Sequence, residues 1–68
     1  MDTQKLIYFI AAVKHLNFTK AANECHIAQT AMSRYISSLE RELGFQLFYR
    51  DNRNVSLTAA GESFYQEA

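Results

Sequence analysis

Apolar residues recur at helical spacing in most of this chain and cluster at strand-like density in one short stretch, with polar breaks between them. The clearest pattern lies between Ile27 and Gly44, where Met32, Ile36, Leu39 and Leu43 stack in one stripe and predict a long helix turned toward a core. Near the start, Leu6, Phe9, Ile10 and Val13 predict the core stripe of a first helix, capped by Asp2 or Thr3 and closing near Leu16 and Asn17. Ile7, Tyr8 and Ala11 fall outside that stripe, a second apolar surface expected to be covered by the C-terminal helix or a second subunit. Between these two helices, Thr19 is the expected cap of a short helix from Lys20 to Cys25 with Ala21, Ala22 and Cys25 inward. Small residues there let a neighbouring helix cross closely. His26, Ile27 and Ala28 make the turn, with Ile27 plugging the core.

Gly44 suits the left-handed position after the long helix, with Phe45 folding back on Leu39. Residues Gln46 to Arg50 and Asn54 to Leu57 flank Asp51, Asn52 and Arg53 and read as a short hairpin or wing. Thr58 then caps a last helix from Ala59 onward, whose large apolar residues are Phe64 and Tyr65. No stop signal precedes Ala68, so the chain is expected to be the N-terminal piece of something longer.

Composition narrows the function classes. A chain of 68 residues, 49% apolar, is one ordered domain with a small core. Seven Lys and Arg balance seven Asp and Glu, which counts mildly against a nucleic-acid partner, although distribution decides more than the sum, and composition shows no pronounced basic patch. One cysteine excludes an internal disulfide and fits a reducing cytoplasm, and no apolar run approaches the roughly 20 residues of a membrane span. Cys25, His26 and His15 are too few for a zinc site, which wants about four ligands. Cys25 and His26 are neighbours on a helix with no oxyanion-hole motif, so catalysis is not expected. Cys25 reads as a small core residue, Tyr35 and Tyr49 as packing residues, and Lys5 and Lys20 as solvated.

The long helix carries the candidate chemistry. Gln29, Thr30, Ser33, Arg34 and Ser37 lie away from its apolar stripe, short or forked polar side chains with no acid among them until Glu40. Two closely crossing helices followed by such a face suit a helix-turn-helix that approaches base edges and phosphates, although an ordinary solvated face has the same pattern.

Several pieces then combine: Phe18-Thr19 before Ala21-Ala22, Gln29, Ser33, Leu39-Glu40, Glu42-Leu43-Gly44, Leu47-Phe48, Arg50, Arg53, and Leu57-Thr58 with Ala60-Gly61. In this order and spacing, over nearly the whole chain, they resemble the N-terminal domain of the LysR-type transcriptional regulators. The resemblance implies a mainly α fold, a winged helix-turn-helix with a three-helix core, a short β wing and the start of a linker helix. It divides the chain into a DNA-binding domain, 1–57, and the beginning of a linker and dimerisation helix, 58–68. It also implies a bacterial, cytoplasmic, non-enzymatic regulator. A small-molecule effector would bind a C-terminal domain absent here, and no cofactor would bind this piece.

By that resemblance the helix from Gln29 enters the major groove of double-stranded DNA and the wing nears the minor groove, over an interrupted, A·T-rich dyad. Gln29, Thr30, Ser33 and Arg34 are the expected base contacts, with Gln29 offering a donor and an acceptor to adenine. Thr19, Ser37, Arg50 and Arg53 are the expected backbone or minor-groove contacts. An exposed Gln29, an Arg34 paired with an acidic neighbour, and Arg50 or Arg53 paired with Asp51 are the plainer alternatives. Thr30 stands where the family often has proline and Ala28 cannot cap, so Thr30 is itself a candidate cap. Ser37 and Ser38 replace the arginine or lysine of many relatives. Ile7, Tyr8, Ala11, Phe64 and Tyr65 are the expected dimer surface, weak at this length. The competing class is a winged-helix module for protein association.

Overall fold

The computed structural model describes residues 3–50 and 55–67. Asp2, Asp51, Asn52, Arg53, Asn54 and Ala68 lie outside the described residues, so the expectations placed on them find no counterpart below. Along the chain run α1 (Thr3–His15), α2 (Phe18–Cys25), α3 (Gln29–Leu43), β1 (Phe48–Arg50), β2 (Val55–Leu57) and α4 (Ala59–Glu67). The two strands pair antiparallel, Phe48 with Leu57, Tyr49 with Ser56 and Arg50 with Val55. The result is the three-helix, one-wing arrangement expected.

The α3 stripe packs as its period requires: Met32, Ile36 and Leu39 are fully buried, and Leu43 closes the end half-buried. Ala21 and Ala22 of α2 are buried beneath it, their small side chains allowing the close crossing, while Ile27 and Cys25 pack against the core margin. His26 (φ 60°) and Gly44 (φ 83°) take left-handed conformations that end α2 and α3. Thr58 caps α4 by accepting from the Gly61 amide at 2.9 Å. Its hydroxyl also donates to the Gln46 carbonyl at 2.7 Å, tying α4 to the segment entering the wing. Gly61 is buried there for a steric reason, because a Cβ would collide with the Leu47 carbonyl.

Five expectations need correction. On α1 the buried face is Tyr8, Phe9, Ala11 and Ala12, whereas Ile10 is 42% exposed. The unbroken apolar run from Leu6 to Val13 gives periodicity no contrast, and the helix turns Tyr8 onto Tyr35 of α3, ring centroids 4.7 Å apart. The cap of α2 is Asn17, whose side chain accepts from the Lys20 amide, and Thr19 sits within the first turn. Phe45 is 41% exposed instead of folded onto Leu39, and Tyr49 is 61% exposed because the side chain after buried Phe48 points off the outer face of the wing. Lys5 is no solvated lysine: its ammonium reaches Ser38 Oγ at 3.0 Å and Glu42 at 2.7 Å on α3.

Candidate nucleic-acid interface

The polar face of α3 follows from how that helix begins. Ala28 is an extended N-cap with no side-chain hydrogen bond, and Gln29 and Thr30 open the helix. Thr30 therefore is not the cap; the Ala28 carbonyl already accepts from the Met32 amide at 3.0 Å. Unsatisfied N–H groups of the first turn face outward with the exposed side chains of Gln29 and Thr30 beside them. One turn on, Ser33 Oγ accepts from Gln29 Nε2 at 3.2 Å, which steers the Gln29 amide along the helix while its carbonyl oxygen stays available. Arg34 and Ser37 are exposed on the same face. The five α3 residues expected to serve DNA are thus brought together on one side of one helix.

Arg41 extends that face and was missed from the sequence. Thr30, Arg34, Ser37 and Arg41 are spaced i, i+4, i+7 and i+11, the spacing that identified the core stripe, so the signal was present. These residues line an open concavity that continues past Gly44 to Gln46 and Arg50 at the base of the wing. Thr19 is exposed in the first turn of α2, apart from the α3 row. Arg50 departs most from expectation. Its guanidinium is turned onto Glu40 Oε1 at 2.8 Å and lies 5.4 Å from the Phe18 ring centroid, so its partner is a helix carboxylate.

Charge is polarised despite the neutral sum. Glu24 is held by His15 at 2.9 Å and Lys14 at 3.1 Å, Glu42 by Lys5 at 2.7 Å, and Glu40 by Arg50 at 2.8 Å. The hydrogen bond from His15, and then that from Lys14, pulls the Glu24 carboxyl below its ordinary range, and the bond from Lys5 does the same for Glu42. The other described acids, Glu62 and Glu67, are on α4. Among the described residues, Lys20, Arg34 and Arg41 make no ion pair, and the two arginines are on the outer face of α3. Exposed, unpartnered guanidiniums beside hydroxyls and an amide form a surface for phosphates and base edges.

Of the residues expected to form a dimer surface, Ile7 (53% exposed) and Tyr65 (43%) are accessible and Phe64 is half-buried with its ring edge-on to Phe9 at 5.2 Å. Tyr8 and Ala11, expected on that surface too, are instead buried within this chain's own core. No group of three or more metal-ligating side chains occurs among the described residues. Burial, and then the nearby Glu24 charge, pushes the Cys25 thiol up, opposite to what a nucleophile needs.

Residues 3–62 match the family model described as "Bacterial regulatory helix-turn-helix protein, lysR family". The chain belongs to this family. Its relatives include the Hca operon transcriptional activator HcaR of Escherichia coli K12, 47% identical over all 68 residues and 23% of that protein. The HTH-type transcriptional regulator BenM of Acinetobacter baylyi is 48% identical over 68 residues and 22% of its length. The chain therefore spans less than a quarter of these LysR-family relatives. Among solved structures, the CbnR DNA-binding domain in complex with DNA superposes with a TM-score of 0.95 at 37% identity, covering 98% of this chain and 77% of that one. The BenM domain on benA site 1 DNA gives 0.93 at 48% identity, covering 98% and 75%. The winged-helix architecture is shared with both.

Proposed function

We propose that this chain is the DNA-reading domain of a LysR-family transcriptional regulator, with α3 in the major groove and the wing beside the minor groove. The observation that carries the reading is the outer face of α3: Gln29, Thr30, Ser33, Arg34, Ser37 and Arg41 together, with both arginines unpaired among the described residues. The BenM and CbnR domains that bind DNA have the same fold, which supports carrying the activity over. Gln29, with its amide steered by Ser33, reads adenine; Thr30 and Arg34 read neighbouring bases; Ser37 and Thr19 hold phosphates. Arg53 is the wing's contact for a narrow A·T-rich groove.

Residues 1–57 form the DNA-binding unit, and α4 starts the helix through which two subunits pair over an interrupted dyad. Ile7, Phe64 and Tyr65 supply the small apolar contribution of this chain to that pairing. An effector acts elsewhere in the regulator, and the regulator works in the cytoplasm. No helix among the described residues is long and apolar enough to cross a membrane.

The test is in vitro selection from a pool of random duplexes. Enrichment of a defined motif, bound more tightly than scrambled duplex, is expected. A pool that stays unenriched while binding weakly and uniformly would sink the reading and favour a protein-association module.

A further inference from the structure

Glu40 stands on the flank of α3, between the core stripe and the polar face, and is almost fully buried. Its Oε2 accepts from the amides of Leu47 at 2.7 Å and Phe48 at 3.2 Å, the residue before β1 and the strand's first residue. Its Oε1 accepts from Arg50 Nη2 at 2.8 Å, at the far end of the same strand. Arg50 in turn covers the ring of Phe18, the first residue of α2, and that ring meets Phe48 edge-on at 5.5 Å. One carboxylate and one guanidinium therefore join the start of α2, the flank of α3 and the whole of β1.

We propose that Glu40 and Arg50 are positioning residues for DNA recognition: they fix the wing to the recognition helix so that both meet the duplex in register. The proposal rests on the DNA-reading function above. A carboxylate suits the position because two backbone N–H groups need an acceptor that Phe45 and Gln46, leaving the left-handed Gly44, do not provide. A charge that well buried needs a counter-charge, which Arg50 supplies. Arginine fits better than lysine, since its flat guanidinium stacks on Phe18 while donating to Glu40. Arg50 thus contributes to binding through geometry instead of touching phosphate.

The experiment compares the wild-type chain with Arg50→Met, Glu40→Gln, the double variant and Arg50→Lys. Melting temperature is measured, then duplex affinity against salt at a temperature where every variant is folded, then hydroxyl-radical protection of the minor groove for the wing and dimethyl sulfate protection of guanine N7 in the major groove for α3. Arg50→Met should lower the melting temperature by about 5–10 °C. It should weaken selected-duplex binding about fivefold or more, the scale of coupling within one network, and erase wing protection while protection by α3 persists. The slope of log affinity on log salt should become shallower by about 0.9, because the displaced wing takes Arg53 off the duplex, and this change comes together with the lowered melting temperature. Glu40→Gln alone should also destabilise, because its amide oxygen takes the Leu47 and Phe48 bonds and its NH₂ then faces the guanidinium. The double variant should be less destabilised than the two single losses added, as that donor–donor clash is gone. Arg50→Lys should fall between wild type and Arg50→Met.

An unchanged melting temperature with a salt slope shallower by about 0.9 would make Arg50 a phosphate contact and overturn the proposal. So would destabilised variants that, once folded, bind and protect DNA as the wild type does, since the pair would then be purely structural. Failure of the wild-type chain to bind any duplex would instead remove the DNA-reading function, and the positioning role with it.

Discussion

Thr58→Val tests how this small domain holds its last helix against the wing. The Thr58 hydroxyl accepts from the Gly61 amide at 2.9 Å and donates to the Gln46 carbonyl at 2.7 Å, and the residue is 7% exposed. Valine keeps nearly the same volume, so packing changes little and the two hydrogen bonds are what is lost. Loss of an N-cap costs about 1 kcal/mol. The second bond adds about 1 kcal/mol, with the Gln46 carbonyl left short of a partner in a confined place. A loss of about 2 kcal/mol would be roughly half of what a core of this size supplies. Melting should fall by about 8–16 °C for a domain of this length. Thr58→Ser, which keeps the oxygen, should stay within about 1 kcal/mol of wild type, the cost of a lost methyl. Circular dichroism with heat and urea reads both variants. If Thr58→Val lay within about 0.5 kcal/mol of wild type, the ordinary range of neutral surface changes, the hydroxyl would not be joining α4 to the wing entry.

Further outcomes follow from other parts of the molecule. Leu16→Gly should raise stability by up to about 1 kcal/mol in urea titrations, because Leu16 sits at φ 48° and is 45% exposed, so glycine relieves strain and removes little packing; a loss would show that its side chain packs. Arg41→Ala should weaken binding to selected and scrambled duplexes alike and reduce the salt slope by about 0.9, whereas an unchanged slope would place Arg41 off the DNA. The lowered carboxyls of Glu24 and Glu42 contribute stability that is present above their unfolded-state value near 4.5 and disappears as pH falls through their lower folded values. Glu24→Gln should therefore flatten the acid limb of a stability–pH profile; an unaltered acid limb would mean that the His15 and Lys14 contacts are not held in solution. In analytical ultracentrifugation at micromolar concentration the chain should be monomeric without DNA, because α4 and Ile7 bury too little to offset an association cost of about 4 kcal/mol or more; a tight dimer would refute this.

Legibility tracked how much each residue's surroundings depend on local pattern. The α3 stripe, the Gly44 stop, the Thr58 cap and the alanines of α2 were readable, because period, a left-handed position, a helix start and close crossing each demand a residue type. The rotation of α1 was not, since apolar residues surround that helix and only the tertiary partners Tyr35 and Phe48 choose Tyr8 and Phe9 over Ile10. The α2 cap fell to Asn17, two residues before Thr19, both of them good capping types. Arg50 shows the deeper difficulty. An arginine at a wing reads as a nucleic-acid contact, and only the fold brings Glu40, ten residues earlier, against it. Arg41, by contrast, is available from spacing alone, although Glu40 and Glu42 flank it in the sequence.

The central claim is that the outer face of α3 reads bases, and Gln29→Ala tests it most directly. The affinities of wild type and variant are measured by fluorescence anisotropy for the duplex selected by the wild-type chain and for a scrambled duplex, at one fixed salt concentration. The account predicts that the ratio of the two affinities falls by about 5- to 150-fold, the 1–3 kcal/mol of one bidentate pair, while affinity for scrambled duplex stays the same. Equal weakening on both duplexes, or an unchanged ratio, would contradict it.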